Sequence, residues 1–517
     1  MRKMKISKIS LGKNIRVKTH YDVGYLCRFS FLAFQVCLGP LVVGHVIGFS
    51  SPALPDLKRQ GAIRTASQEA LFASLMNIGG IIGSVFVGGL LDRLGRRWCL
   101  FVSVLPALLG YIFIGASRGS VHALLFGRVL TGLTCGLNAA ATSIYLVEIS
   151  PTSFRGVLGA FNQLGITIGI FLSYLAGAFW SYSALAWLGC CLAAGLTLCT
   201  GLPSFPESPR FLMQRRDIQT AAKVLAYLRP SHYDVQDELR DISACSDDAL
   251  LPMTAPPTAG SADLAGDPSA AGAASSSSDS AASAAAAGNR RSEASADVSL
   301  RELYTRPEFS RPLVVALGLM ALQQLSGINV IMFYAQDILG KTGAVSSPAL
   351  GACLIGATQV AFTILAACLM DKFGRRQLLL LASLIMMLAQ LTLGIFFAAN
   401  STRGYVAVVS LALFIIGFSL GWGPVPMLVT AEIFPTRARS VANGLAICSS
   451  WLFSFLITET FPALQLHLGT GNIFFLFSAM CLAGLYFVWR YVPETKGKSL
   501  EDLELHFIGT RSSLRSL

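Results

Sequence analysis

The chain has 517 residues, of which 53% are hydrophobic and only 13% charged, with a mean hydropathy of +0.60; soluble globular proteins carry about 25% charged residues. These figures exclude a soluble enzyme, a wholly disordered chain and a collagen-like repeat. The net charge of +12 would suggest nucleic acid in a soluble chain, but in a membrane protein the placement of the charge carries the information.

The N-terminal tail holds Arg2, Lys3, Lys5, Lys8, Lys13, Arg16 and Lys18 against one acid, Asp22, and no apolar core precedes Phe29. No cleavable signal peptide is expected. Apolar runs then fall at roughly 29–49, 71–91, 98–116, 121–147, 157–180 and 184–202, and again at 313–335, 349–370, 377–398, 405–430, 441–459 and 473–491. A spanning helix needs about 20 apolar residues. The predicted fold is therefore all-α and integral to the membrane, with twelve transmembrane helices in two six-helix bundles. The expected division is a basic tail (1–27), a first bundle (28–212), a polar linker (213–310), a second bundle (311–491) and a C-terminal tail (492–517). Within the linker, Asp217 to Leu228 reads as a short amphipathic helix, whereas 254–297 is almost wholly Ala, Ser, Gly, Pro and Asp and cannot bury enough apolar surface to order itself.

Basic residues cluster in the loops on one side: Arg93, Arg96 and Arg97, then Arg155, then Lys372, Arg375 and Arg376, then Arg437 and Arg439. By the positive-inside rule both termini are predicted to be cytosolic. The sequon Asn400-Ser401-Thr402 falls between the ninth and tenth runs, on the side this assigns to the exterior, and makes Asn400 a candidate glycosylation site. The 12 cysteines lie mostly inside apolar runs, with no CxxC or Cys/His spacing, so they read as small hydrophobes. No metal, cofactor or nucleic acid is implied, and no obligatory protein partner is implied.

The charged minority is duplicated. Asp92-Arg93-x-Gly95-Arg96-Arg97 recurs as Asp371-Lys372-x-Gly374-Arg375-Arg376; Glu148-Ile149-x-Pro151-Thr152-x-x-Arg155 as Glu432-Ile433-x-Pro435-Thr436-x-x-Arg439; and Pro206-Glu207-Ser208 as Pro493-Glu494-Thr495, at offsets of 279, 284 and 287 residues. Positive-inside anchoring would account for any one arginine. It does not account for acids at matching places, because acids contribute little to topology. The expectation is a cytosolic charge network that pairs across helices where the two halves meet, in an architecture that rocks about a midplane site.

Polar side chains within the apolar runs are few, and in helices facing lipid or packed core they are costly unless paired or lining a wet cavity. Gln323, Gln324 and Asn329 lie within two turns around Gly327, with Phe333 and Tyr334 one turn on. Gln163 is isolated in the fifth run, with Ile166 and Ile170 on its face. Amides beside apolar surface either line a polar site or join helices to one another. Gly421, Gly423, Pro424 and Pro426 interrupt the tenth run, either as a flexing gate or as a static kink.

From Phe29 to Leu503, apart from the insert, the chain resembles the sugar porter branch of the major facilitator superfamily. The resemblance rests on the duplicated motifs together with Gly127-Arg128, Pro206 to Leu212, Gln323-Gln324-Leu325-Ser326-Gly327-Ile328-Asn329 and Pro493 to Lys498. Within the branch, Ser51-Pro52-Ala53-Leu54-Pro55, Gly421 to Pro426 and the sequon most resemble class III facilitative hexose transporters and arthropod facilitated trehalose transporters. The resemblance implies substrate contacts from Gln163, Ile166, Ile170, Gln323, Gln324, Ile328, Asn329, Gln359 and Trp451, and an outer gate at Phe333 and Tyr334. Met427 stands where glucose facilitators usually have Trp, Gln359 where many have Asn, and Ser450 where they have Asn. The resemblance also places Val46 where proton-coupled members carry Asp, which implies facilitated, downhill transport of a hexose or trehalose. A proton-coupled symporter using the neighbouring His45, and a transport-inactive sugar sensor, stay open as alternatives. Localisation is expected at the plasma membrane, with Asp247 to Leu251 resembling an endolysosomal sorting signal. The chain lacks HExxH, Walker A and paired catalytic carboxylates, so an enzyme is not expected.

Overall fold

A computed structural model describes residues 23–149, 155–202, 205–229, 235–236, 238–240, 300–343, 347–434 and 438–496. The insert, residues 1–22 and 497–517 of the tails, and Asp247 to Leu251 lie outside the described residues, as do the side chains of Arg155, Asp371 and Arg439. Among the described residues all regular structure is helical.

The first half comprises α1 (Val23–Gly48), α2 (Ser50–Arg59), α3 (Ala66–Leu94), α4 (Arg96–Gly115), α5 (Val121–Ile149), α6 (Arg155–Gly177) and α7 (Tyr182–Gly201). Short helices α8 (Pro209–Gln214), α9 (Ile218–Leu228) and α10 (Leu300–Thr305) follow. The second half comprises α11 (Pro307–Leu325), α12 (Ile328–Phe333), α13 (Ala335–Thr342), α14 (Pro348–Phe373), α15 (Arg375–Ala398), α16 (Gly404–Gly417), a π-helical turn (Phe418–Trp422), α17 (Val425–Ile433), α18 (Arg439–Leu468) and α19 (Thr470–Tyr491). Eleven described helical segments are long and apolar enough to cross a membrane, and α6, whose described apolar part is Phe161–Gly177, completes the series. Phe86, Leu198, Leu354 and Tyr405 are among the large apolar side chains left on the outside of the bundle, as a lipid-facing surface requires.

Helix ends follow local chemistry. Thr65 starts α3 with a capping box, accepting from the Gln68 N–H at 3.2 Å while Gln68 Oε1 accepts from the Thr65 N–H. Asp217 caps α9 at Thr220, close to the predicted amphipathic stretch. The apolar run ending near Glu459 understates α18, which continues through Pro462 to Leu468. Glu459 is accommodated inside the bundle because Ser74 Oγ donates to it at 2.5 Å.

In each half the first crossing packs on the fifth and the third on the sixth: α1 on α6, α4 on α7, α11 on α18 and α15 on α19. The halves meet along two seams, α3 against α18 and α6 against α14. Small residues permit the closest approaches: a Cβ at Gly132 of α5 would lie 1.9 Å from the Met76 carbonyl of α3.

Candidate functional site

The seventh crossing is broken where the amides cluster. After α11 ends at Leu325, Gly327 takes φ +83°, a left-handed conformation open chiefly to glycine, and α12 restarts at Ile328. A Cβ there would also lie 2.5 Å from the Phe477 ring. The break sets Gln323 and Gln324 on one side and Asn329 on the other, close enough to bond directly. Asn329 Nδ2 donates to Gln324 Oε1 at 2.7 Å and to Ser454 Oγ; Gln324 Nε2 donates to Gln323 Oε1 at 3.2 Å and to Ser450 Oγ at 2.9 Å.

Gln323 has a second task. Pro426 has no N–H to give to the carbonyl four residues back, that of Trp422, and Gln323 Nε2 donates to that carbonyl instead. The π-helical turn over Phe418–Trp422 ends with the Gly423 N–H bonded to the Phe418 carbonyl at 2.7 Å, and π-bulges of this kind recur at functional sites. Gly421 packs on Leu378 and Ala382 of α15. Gly423 faces the first half: a Cβ there would lie 3.6 Å from Gln163 Nε2.

The other sugar-contact candidates spread along the seams. Ile170 and Ile328 are buried and Ile166 is half-buried, with the Ile166 carbonyl against Gly44 of α1. Gln359 is buried one turn from Gly356, which meets Phe171 and Tyr174 of α6, and its Oε1 has no partner. The Trp451 ring covers Gly80 of α3, and its Nε1 is likewise unpartnered. Sequence reasoning missed Ser454 and Asn77: Ser454 Oγ donates to Asn77 Oδ1 at 2.9 Å. A lone Asn in the second apolar run was the available signal.

The duplicated motifs build the same device twice. Arg96 Nη2 donates to Glu148 at 2.8 Å and Arg375 Nη2 to Glu432 at 3.3 Å. Glu207 accepts from the N–H groups of Arg96 and Arg97, and Glu494 from those of Arg375 and Arg376. Each carboxylate thus sits on a helix N-terminus, where free N–H groups and the helix dipole favour it. Gly95 and Gly374 adopt φ +87° and +88°, and a Cβ on either would come within 2.7 Å of its glutamate. Arg215 caps the Asp92 and Arg93 carbonyls and Lys496 the Lys372 carbonyl. Burial pushes the Glu207 carboxyl above its ordinary value despite the backbone donors. Each of these ion pairs joins helices of one half.

At the opposite end, the predicted exterior, hydrogen bonds do cross between halves. Lys58 Nζ reaches Asp337 at 3.4 Å as well as Glu69 at 2.6 Å, Ser74 reaches Glu459, and Tyr174 Oη donates to the Met332 carbonyl at 2.6 Å. Phe333 and Tyr334 are buried, with the Tyr334 ring 5.1 Å from that of Phe461. A cavity of about 210 Å³ lies above them, bounded by Lys58, Glu69, Asp337 and Lys341. Asn400 is exposed between α15 and α16. Among the described residues no group of three or more His, Cys, Asp or Glu is placed to hold a metal.

A family described as "Sugar (and other) transporter" matches residues 32–250 and 269–507. The chain belongs to the sugar transporter family. It is 33% identical over 509 residues to the Bos taurus "Solute carrier family 2, facilitated glucose transporter member 8", covering 93% of this chain and 95% of that one. It is 34% identical to member 6 of the same series from Homo sapiens, covering 94% and 92%. A "Facilitated trehalose transporter Tret1" from Culex quinquefasciatus is 31% identical, covering 93% and 87%. An inward-open structure of the xylose transporter XylE from E. coli shares the fold, with a TM-score of 0.70, 24% identity and coverage of 93% and 99%. The fold is that of the major facilitator superfamily, and the protein is a transporter and not an enzyme.

One buried cation in this sugar transporter bears on how transport is driven. Arg128 is fully buried; it donates to the Val46 carbonyl at 3.0 Å, Ser50 Oγ at 2.7 Å and the Phe72 carbonyl at 3.1 Å. Its guanidinium also lies 5.2 Å from the Phe72 ring centroid. All three acceptors are neutral. His45, one residue before Val46, bonds through Nδ1 to Tyr111 Oη at 2.7 Å, and its Nε2 has no partner.

Proposed function

We propose that the protein is a uniporter that moves a hexose or trehalose down its gradient by alternating access. The observation that carries this reading is Arg128: its three neutral acceptors include the backbone of Val46 itself, so no carboxylate at that position is available to take up and release a proton. The amide cluster of Gln323, Gln324 and Asn329, with Gln163, Gln359 and Trp451, is the proposed sugar site. The amides of the seventh crossing pair with one another and with Ser450, contacts that sugar hydroxyls can replace. Bundles 28–212 and 311–491 are the proposed rocking halves, closed on the outer side in this conformation, with Phe333, Tyr334 and the Gly421 to Pro426 break as gating elements. The inner charge clusters, including Arg155, Lys372 and Arg439, are read as cytosolic. Both termini are then cytosolic, Asn400 is extracellular and glycosylated, the location is the cell membrane, and no protein partner is required.

The unpartnered Nε2 of His45 favours the second reading, proton-coupled symport. Uptake of glucose, fructose, galactose and trehalose into proteoliposomes, with and without an imposed pH gradient, separates the two. The uniporter equilibrates its sugar and ignores the gradient; accumulation above equilibrium would establish the symporter. Gln324→Ala and Asn329→Ala are expected to abolish or strongly reduce uptake while the protein still reaches the membrane. Unaltered transport in both would overturn the site assignment.

A further inference from the structure

We propose that Asn77 is a positioning residue that ties the amide cluster of the seventh crossing to closure of the outer path. This rests on the sugar-site reading above and names a residue in the opposite half through which that site acts.

Asn77 lies on α3, fully buried, in the seam against α18. Ser454 Oγ donates its one proton to Asn77 Oδ1 at 2.9 Å and accepts from Asn329 Nδ2, which also donates to Gln324 Oε1 at 2.7 Å. Hydrogen bonds thus run without interruption from Gln324 through Asn329 and Ser454 to Asn77, from the proposed sugar site into the other half. A hydroxyl that donates becomes a better acceptor, so the Asn77 bond strengthens the grip of Ser454 on Asn329. The contacts on either side belong to the same seam. One turn outward Ser74 bonds Glu459, and one turn inward the Trp451 ring covers Gly80, where a Cβ would lie 2.8 Å from it.

Asn77 and Ser454 sit in opposite halves, in the part of the seam that must part when the outer path opens. Their bond therefore exists in the outward-closed state and not in the outward-open one. A sugar hydroxyl that engages Asn329 meets a group already linked across the seam, and occupancy favours closure.

The test uses Ile338→Cys, on the wall of the outer cavity, as a reporter modified by a membrane-impermeant thiol reagent applied from outside, with the parent protein as background. Without sugar, Asn77→Ala is expected to raise the modification rate about fivefold, the factor that corresponds to one net hydrogen bond of about 1 kcal/mol. Ser454→Ala is expected to do the same, and the double variant no more than either alone. In the wild type, a transported sugar slows modification; in Asn77→Ala that slowing is lost. An unchanged sugar-free rate in Asn77→Ala, or additive effects in the double variant, would overturn the proposal. So would a raised KM at an unchanged modification rate, which would make Asn77 a direct sugar ligand. If no sugar in the panel slows the wild type, the sugar-site reading fails, and the sugar-free comparison still decides whether Asn77 latches the seam.

Discussion

The side-chain amide of Gln323 donates to the carbonyl of Trp422, the group that Pro426 leaves without its helical partner. One residue of the proposed sugar site therefore also stabilises the break in the tenth crossing. Removing it leaves a buried carbonyl unsatisfied, at a cost of about 1–3 kcal/mol. Gln323→Ala is expected to lower the thermal midpoint in detergent, and Pro426→Ala, which restores an N–H at the right place, to recover part of the loss. Full stability in Gln323→Ala would show that the carbonyl has another donor.

The two inner ion pairs occupy matching places but differ in burial. The Arg96 and Glu148 side chains are 8% and 11% exposed, those of Arg375 and Glu432 13% and 23%. Removing one partner of a buried pair strands the other charge and costs about 3–5 kcal/mol, whereas exposed pairs contribute about 1 kcal/mol or less. Arg96→Ala should therefore destabilise more than Arg375→Ala in thermal unfolding, and equal losses would contradict the burial argument.

Glu207 provides a pH signature. Burial raises its folded pKa above the ordinary value of 4.5, so the folded state binds its proton more tightly than the unfolded chain does. Its contribution is fully present below that ordinary value and is lost as pH rises through the folded pKa. Melting curves of wild type and Glu207→Gln taken from pH 4 to pH 7 should show the wild type losing stability relative to the variant. A difference independent of pH would refute the shift.

The neutral surroundings of Arg128 can be altered by one change. Val46→Asp puts a carboxylate on the residue whose carbonyl Arg128 already contacts, and the guanidinium offsets the burial of the new charge. The variant is expected to fold and to acquire a dependence of uptake on the pH gradient that the wild type lacks. Uptake by Val46→Asp that ignores the gradient would show that a carboxylate there is not sufficient for coupling.

Much of the fold was legible because lipid makes composition informative. Run lengths reproduce the crossings, and Gly95 and Gly374 could be matched by the motifs around them before their shared backbone angle was known. The end of α18 was not legible: the apolar run stops at 459 while the helix continues to Leu468, and the hydroxyl that meets Glu459 comes from Ser74 of the other half. The same limit hid Asn77, a single polar residue whose partner lies 377 positions away.

The sequence by itself determined the membrane class, the two homologous halves, the family and the amides around Gly327, because hydrophobic length, repeated motifs and polar residues in apolar runs are local signals. Only the tertiary structure decided how those groups are spent. It assigned Gln323 to the Trp422 carbonyl, kept the inner ion pairs within their own halves, left Arg128 on neutral acceptors and joined Asn329 to Asn77 through Ser454. A hydrogen bond depends on which helices are brought side by side and in what register, and spacing along the chain does not carry that information across the interface between the halves.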